Sequence, residues 1–401
     1  MRKINTRSFR LATRATPREV NRQIVLNLIR EFQPISRAEL ARRMNVRRAA
    51  LTAIVRDLIA AGDVEETGTA IAARGRRPTL MRIRTTDRTA LAVDVRPGAT
   101  VVALVDYGGK VLERTTFDTP ADPGDLSRTL GVALRSTIDR LAGTPVGDGC
   151  QGVGIVVPGM VDKRSGRVLY APRLGWRDVP LRDAISEVTG LQVYVESAPI
   201  ACALARLWSV TRTRTVNNFV YVSVSDGVGV GIVNRGEVLR GETHTAGEFG
   251  HVSLDPNGPL CACGKRGCWE AFASNSATVA RYMDTTGAKR KGVATIEEIV
   301  RRAKEDEPAA RNAVIETGHQ IGRGLSAVVS ALNPKRIYIG GEVTAAWDLI
   351  EGPIREELMK NTLTEAAHMT PVYPDEKTEV YRLLGAVALV AAPGFAAPRV
   401  G

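Results

Sequence analysis

Between His251 and Cys268 the chain reads H-V-S-L-D-P-N-G-P-L-C-A-C-G-K-R-G-C, placing four metal-competent side chains, His251, Cys261, Cys263 and Cys268, within eighteen residues. Four ligands serve one ion only if the backbone between them turns sharply, and Gly264 and Gly267 suit such turns. Three thiolates and one imidazole complete the tetrahedral shell of a structural zinc and leave no position open for an activated water. The expected role is a pinned loop. Buried free thiols or a disulfide are the competing readings of the same residues. With Cys150 and Cys202 the chain has five cysteines, an odd number that argues against a disulfide framework and for a reducing, cytoplasmic setting.

At 401 residues the chain has material for two or three domains. No stretch reaches the roughly eighteen apolar residues of a membrane span, and the basic N-terminus has no apolar run behind it, so a protein that is neither membrane-bound nor exported is expected. The formal net charge is +12, and its placement is more informative than its size. Residues 1–86 hold 19 Lys plus Arg against 7 Asp plus Glu, while the rest of the chain is balanced, 36 against 36. Of those 19 cations 18 are arginine, whose planar fork suits phosphates and guanine edges. A basic terminal unit beside a neutral body points to a polyanion, most often nucleic acid. A merely solvated basic face is the alternative.

After a basic arm at 1–16, residues 17–86 have the pattern of a winged helix-turn-helix. Val20, Ile24, Leu28 and Ile29 form one apolar stripe, with polar residues opposite. Ser36-Arg37-Ala38-Glu39 is a capping box that starts a second helix running to about Met44, and a third helix follows Asn45 and ends at Gly62. The start of the third helix carries Arg47, Arg48 and Thr52, the end that reads base edges in such motifs, which leaves Arg37, Arg42 and Arg43 for phosphates. Two strand-like runs, 64–67 and 79–83, bracket a wing tip containing Arg74, Arg76 and Arg77, suited to a minor groove or phosphates. A three-helix protein-interaction module is the competing reading. The expected partner is double-stranded operator DNA, bound by a homodimer or homotetramer.

From residue 87 onward short β-branched runs alternate with helical patterns at 124–142 and 308–332, which predicts α/β layers. A hairpin turning at Gly98 and again at Gly108-Gly109 recurs about 120 residues later as F-V-Y-V-S-V-S-D-G-V-G-V-G-I-V-N-R-G-E-V. Two copies of one lobe with a ligand cleft between them follow: residues 87–198 and 199–401, the metal loop spanning 244–272 and the C-terminal helix free to return to the first lobe. The long 308–332 helix and the C-terminal helix suit core packing or dimerisation.

These residues resemble the ROK group of repressors and kinases, within the actin-like ATPase and sugar-kinase fold. The carriers are Ala246-Gly247-Glu248-Phe249-Gly250-His251 before the cysteines, Cys268-Trp269-Glu270 after them, V-P-G-M-V-D at 157–162, G-V-G-V-G at 227–231 and N-P-K-R-I-Y-I-G-G-E at 333–342. Gly75-Arg76-Arg77-Pro78 is similar to a segment near the wing of the group's repressors. The resemblance implies a phosphate loop D-x-G-x-T, here Asp94-Val95-Arg96-Pro97-Gly98-Ala99-Thr100, and a second loop G-T-G, here Ser225-Asp226-Gly227. It also implies a catalytic E-N-D-A segment, here Glu196-Ser197-Ala198-Pro199, so the general-base position holds Ala198 and no kinase activity is expected.

The resemblance further assigns Glu248, His251 and Glu270 to sugar hydroxyls, with Ser197 and Arg173 at positions that usually hold Asn. Glu248 and Glu270 also read as supports of the metal loop. Arg173 reads either as a clamp for a phosphorylated or acidic sugar or as a plug. The expected protein is a zinc-containing repressor answering to a sugar or sugar phosphate; one answering to a protein partner, and an active sugar kinase, are the alternatives.

Overall fold

The computed structural model describes residues 18–69, 77–208, 216–287, 295–375 and 378–395. The chain opens with α1 (Arg18–Phe32), a two-residue β1 (Ile35–Ser36), α2 (Arg37–Met44), α3 (Arg48–Ala60), β2 (Val64–Thr69) and β3 (Thr79–Ile83). The Ser36 hydroxyl accepts the Glu39 amide at 3.1 Å, which starts α2, and Asn45 in the left-handed region ends it. The Glu39 carboxylate, expected to return that bond, lies instead on Arg42 and Arg43 at 2.5 and 2.9 Å. The three strands form an antiparallel sheet in the order β1-β3-β2 over a core of Leu28, Leu40, Leu51, Leu58 and Met81.

Helix α1 buries a second, polar face beside its apolar stripe: Gln23, Asn27 and Arg30 are all buried. That face lies on the body of the protein, where the Arg30 guanidinium sits 5.0 Å from the centre of the Trp208 ring. Burial lowers Arg30 to about 10, so it stays charged near neutral pH. A polar stripe read from periodicity alone is indistinguishable from one that water covers.

The body contains two sheets of equal topology. The first is built from β4 (Thr89–Val95), β5 (Ala99–Asp106), β6 (Val111–Asp118), β7 (Cys150–Val157) and β11 (Val193–Ser197). Between its strands come α4 (Pro123–Leu141), a one-turn α5 (Pro145–Asp148), the small sheet β8 (Met160–Asp162), β9 (Arg167–Ala171) and β10 (Trp176–Val179), and α6 (Leu181–Thr189). After α7 (Ala198–Trp208) the second sheet uses β12 (Phe219–Val224), β13 (Val228–Asn234), β14 (Glu237–Val238), β15 (Ile337–Gly340) and β16 (Val372–Asp375). Its helices are α8 (Trp269–Ala273), α9 (Asn275–Thr286), α10 (Ile296–Lys304), α11 (Pro308–Leu332), α12 (Trp347–Asn361) and α13 (Glu365–His368), with α14 (Thr378–Phe395) closing the chain.

The orders β6-β5-β4-β7-β11 and β14-β13-β12-β15-β16 are the same path walked twice: an antiparallel three-strand meander, then two parallel strands. The central β4, buried at all seven positions, is covered on both faces, which is why it reads T-A-L-A-V-D-V without alternation. The edge strand β6, mostly exposed, reads V-L-E-R-T-T-F-D.

Helix α7 lies on β12 and β13, α14 crosses β4, β7 and β11, and the two helices pack on each other. They touch backbone to backbone, because a Cβ at Gly385 would come within 2.4 Å of the Ala201 carbonyl oxygen. The buried residues of the N-terminal unit join those between α7 and α14 in one continuous core. Helix α11 packs on α12 inside the second lobe. Among the described residues no helix is long and apolar enough to cross a membrane.

Candidate functional site

The cysteine loop is shaped before any ion is considered. Gly264 and Gly267 have φ of +89° and +68°, and a Cβ at Gly267 would meet the Asp255 oxygen at 1.5 Å. The Cys261 amide donates to Lys265 and the Leu254 amide to Gly267, which folds the loop back on itself. Trp269 fastens it to α11, its indole N–H donating to the Gln320 carbonyl at 2.8 Å and its ring filling the space a side chain at Gly324 would need. The ligand atoms of His251, Cys261, Cys263 and Cys268 all lie within 4.8 Å of one another.

The Cys263–Cys268 sulfur separation is 3.7 Å, as is that from Cys261 Sγ to His251 Nδ1. A disulfide needs about 2 Å. Arms of about 2.3 Å to a tetrahedral centre give edges of about 3.8 Å, so the four side chains fit one tetrahedral metal ion.

His251 joins this centre to a cleft. Its Nε2 faces the other way, 4.0 Å from the Glu248 carboxylate. Glu248, His251, Glu270, Arg173, Ser197 and Ala198 all line one cavity of about 390 Å³ between the sheets, a volume suited to a small ligand. Burial and then the neighbouring Glu270 carboxylate push Glu248 up to about 7. Glu270 is itself engaged: it accepts the Val228 amide at 3.0 Å and approaches Cys261 Sγ at 3.6 Å. Arg173 reaches across the cleft from the turn after β9, donating to Ser276 Oγ at 2.9 Å and lying 3.8 Å from Glu270.

Two further polar pairs span the lobes. Arg240 meets the buried Glu196 carboxylate at 2.5 Å, and His244, at a φ of +61°, faces Asp162 at 3.3 Å. Sequence reasoning missed both pairings: Glu196 and Asp162 stand in recognisable runs, but their partners Arg240 and His244 are 44 and 82 residues away and belong to none.

The two loops that the resemblance matches to phosphate loops are occupied from within. Asp94 is fully buried and held between Arg96 at 2.7 Å and Arg382 of α14 at 2.6 Å. The turn Ser225-Asp226-Gly227 closes with the Ser225 amide on the Gly227 carbonyl, and Glu270 takes the next amide. Gly340-Gly341 is a packing point: a Cβ at Gly341 would overlap the Val224 oxygen at 1.6 Å. Arg382 was invisible in the sequence, a lone cation at the head of the apolar run L-L-G-A-V-A-L-V-A.

In the N-terminal unit Arg47, Arg48 and Thr52 are exposed at the start of α3, and the two arginines have no acidic partner among the described residues. Thr52 Oγ1 donates to the Arg48 carbonyl. Arg37 pairs with Glu66 at 2.8 Å, while Arg42 and Arg43 share Glu39. Arg77 is exposed beside β3; Arg74, Arg76 and the basic arm lie outside the described residues.

Comparison with known proteins places this architecture. A 399-residue match at 30% identity, covering 97% of this chain and 99% of the relative, links it to a putative xylose repressor of Caldicellulosiruptor sp.. A crystal structure of a ROK family transcriptional regulator, a homologue of the E. coli Mlc protein, superposes with a TM-score of 0.78 at 28% identity, over 94% of this chain and 97% of that one. A glucokinase of Thermotoga maritima is 28% identical, but the match covers 75% of this chain and 96% of the enzyme. The ROK family model matches residues 90–392. From the doubled sheet to the cysteine loop, the body is that of a known lineage: the chain belongs to the ROK family.

Proposed function

We propose that the protein is a DNA-binding transcriptional repressor, working as a homodimer or homotetramer, whose kinase-like body senses a carbohydrate and does not phosphorylate it. The observation that carries the second half is Asp94. A carboxylate that two guanidiniums already neutralise is poorly placed to hold a metal-bound triphosphate, and Ala198 offers no acceptor for a substrate proton. The first half rests on the N-terminal unit, read as a winged helix-turn-helix with Arg47, Arg48 and Thr52 at base edges and Arg37, Arg42, Arg43 and Arg77 near phosphates. Likeness along nearly the whole chain to proteins named as repressors supports it. The glucokinase match is shorter.

The ion in the cysteine loop is inferred to be zinc, since three thiolates and an imidazole are its preferred structural shell. It would hold Glu248 and Glu270 at the cleft wall through His251 and Cys261. A sugar would then bind between Glu248, His251 and Ser197, and control follows only if it prefers one closure state of the lobes.

A coupled ADP assay over a panel of hexoses and pentoses, run beside duplex selection from a random library, tests the reading. Sugar-dependent turnover would overturn the second half, and no enriched duplex the first. The Arg173 bridge favours a second reading, in which the cavity is plugged and no small molecule is sensed. A thermal-shift screen separates the two, because saturation at 100 times Kd adds about 2.7 kcal/mol.

A further inference from the structure

We infer that α7 is the mechanical link between the cleft and the DNA-reading helix, with Trp208 as its output end. The inference rests on the proposed function for its purpose, and on geometry for its route.

The first turn of α7, Ala198-Pro199-Ile200, lines the cavity, directly after Glu196 and Ser197. Its last residue is Trp208, about 15 Å away at 1.5 Å per residue. All but Pro199 and Arg206 of its side chains are buried; Ala201 lies against Gly385 of α14 and Ala203 faces Gly231 of β13, so the helix is clasped between the two. A helix so enclosed moves as a rod, because close-packed interiors shift between discrete arrangements and do not deform smoothly. Arg206 anchors the same end: its guanidinium lies between the Tyr338 and Tyr381 rings, at 4.3 and 4.2 Å, and 3.3 Å from Asp375.

Two routes leave Trp208 for the N-terminal unit. One is direct: Arg30 of α1 rests on the indole ring. The other runs through the turn after β5, where the indole N–H donates to the Tyr107 carbonyl at 3.1 Å and the two rings meet edge to face at 6.0 Å. The Tyr107 amide donates to the Arg88 carbonyl at 2.9 Å. The Arg88 guanidinium then grips the far end of α3, bonding the Asp63 carboxylate at 2.5 Å and the Ala61 carbonyl at 3.4 Å. Arg22 of α1 holds the same Asp63. A displacement of the cleft end of α7 therefore arrives at both α1 and the C-terminal end of α3.

A double-mutant cycle on the full chain, read by hydrogen exchange of residues 48–63, tests this without DNA or sugar. Arg173→Ala removes the bridge across the cleft, and Trp208→Phe keeps the ring but deletes the N–H to Tyr107. The expected result is that Arg173→Ala changes exchange at 48–63 by about threefold or more, and that Trp208→Phe cuts this change by about half or more, the route through Arg30 remaining. Arg88→Gln, at a partly exposed position further along the route, should cut it likewise, and it replaces Trp208→Phe if that variant folds poorly. Effects that simply add, or no change at 48–63 on Arg173→Ala, would overturn the inference. Duplex binding is measured separately, so its absence would sink the proposed function while leaving the cycle to decide the linkage.

Discussion

Asp94 shows how a single residue changes the character of an inherited site. It stands where related phosphate loops begin, yet it is held by Arg96, two residues on, and by Arg382, almost three hundred residues on. Restoring a base alone should therefore fail: Ala198→Asp is expected to give no sugar-dependent ADP release, and turnover in that variant would show that the Asp94 pairing is no obstacle. Arg382→Met should cost about 3 kcal/mol in urea unfolding, since it leaves a buried carboxylate half-compensated, whereas Arg96→Ala, at a more exposed position, should cost about 1 kcal/mol. Equal losses would show that the two pairs are not distinguished by burial. The cluster of His251 and three cysteines, able to hold a metal, was legible in the sequence because its side chains are close together and its glycines mark the turns. Arg382 was not, because a partner so distant leaves no local spacing to read.

Among the elements, α3 and the cysteine loop carry the separable claims. Arg47→Ala or Arg48→Ala should lower discrimination between a selected duplex and a random one by about 1–3 kcal/mol, measured by competition binding. An equal loss on both duplexes would mean that α3 grips the backbone only. Cys263→Ser should release the metal, lower the melting temperature and raise hydrogen exchange across 244–272; unchanged metal content and melting temperature would contradict the centre. The duplicated hairpin, α2 and its Ser36 cap, and the long helices were readable from period and turn chemistry. The far face of α1 was not. Gln23, Asn27 and Arg30 look like a solvated stripe until the body is set against them, and no local pattern announces a second packing surface.

Over the whole molecule, one continuous core runs from the N-terminal unit through α7 and α14, so the unit that would meet DNA is not a loosely tethered appendage. Three polar pairs, Arg173–Glu270, Arg240–Glu196 and His244–Asp162, cross between the lobes at the far end of that core. A sensor needs such an arrangement, since a ligand that displaces cross-cleft pairs favours one closure state over the other. The central claim is that the arginine-rich unit grips a duplex, and the salt dependence of full-chain binding to a selected duplex tests it most directly. The account predicts binding that is tight at low salt and falls steeply as salt rises, with a slope reduced by about one unit for each of Arg42, Arg43, Arg47 and Arg48 that both contacts a phosphate and is replaced by alanine. A full chain that ignores duplex DNA at low salt, or a slope that these substitutions leave untouched, would contradict it.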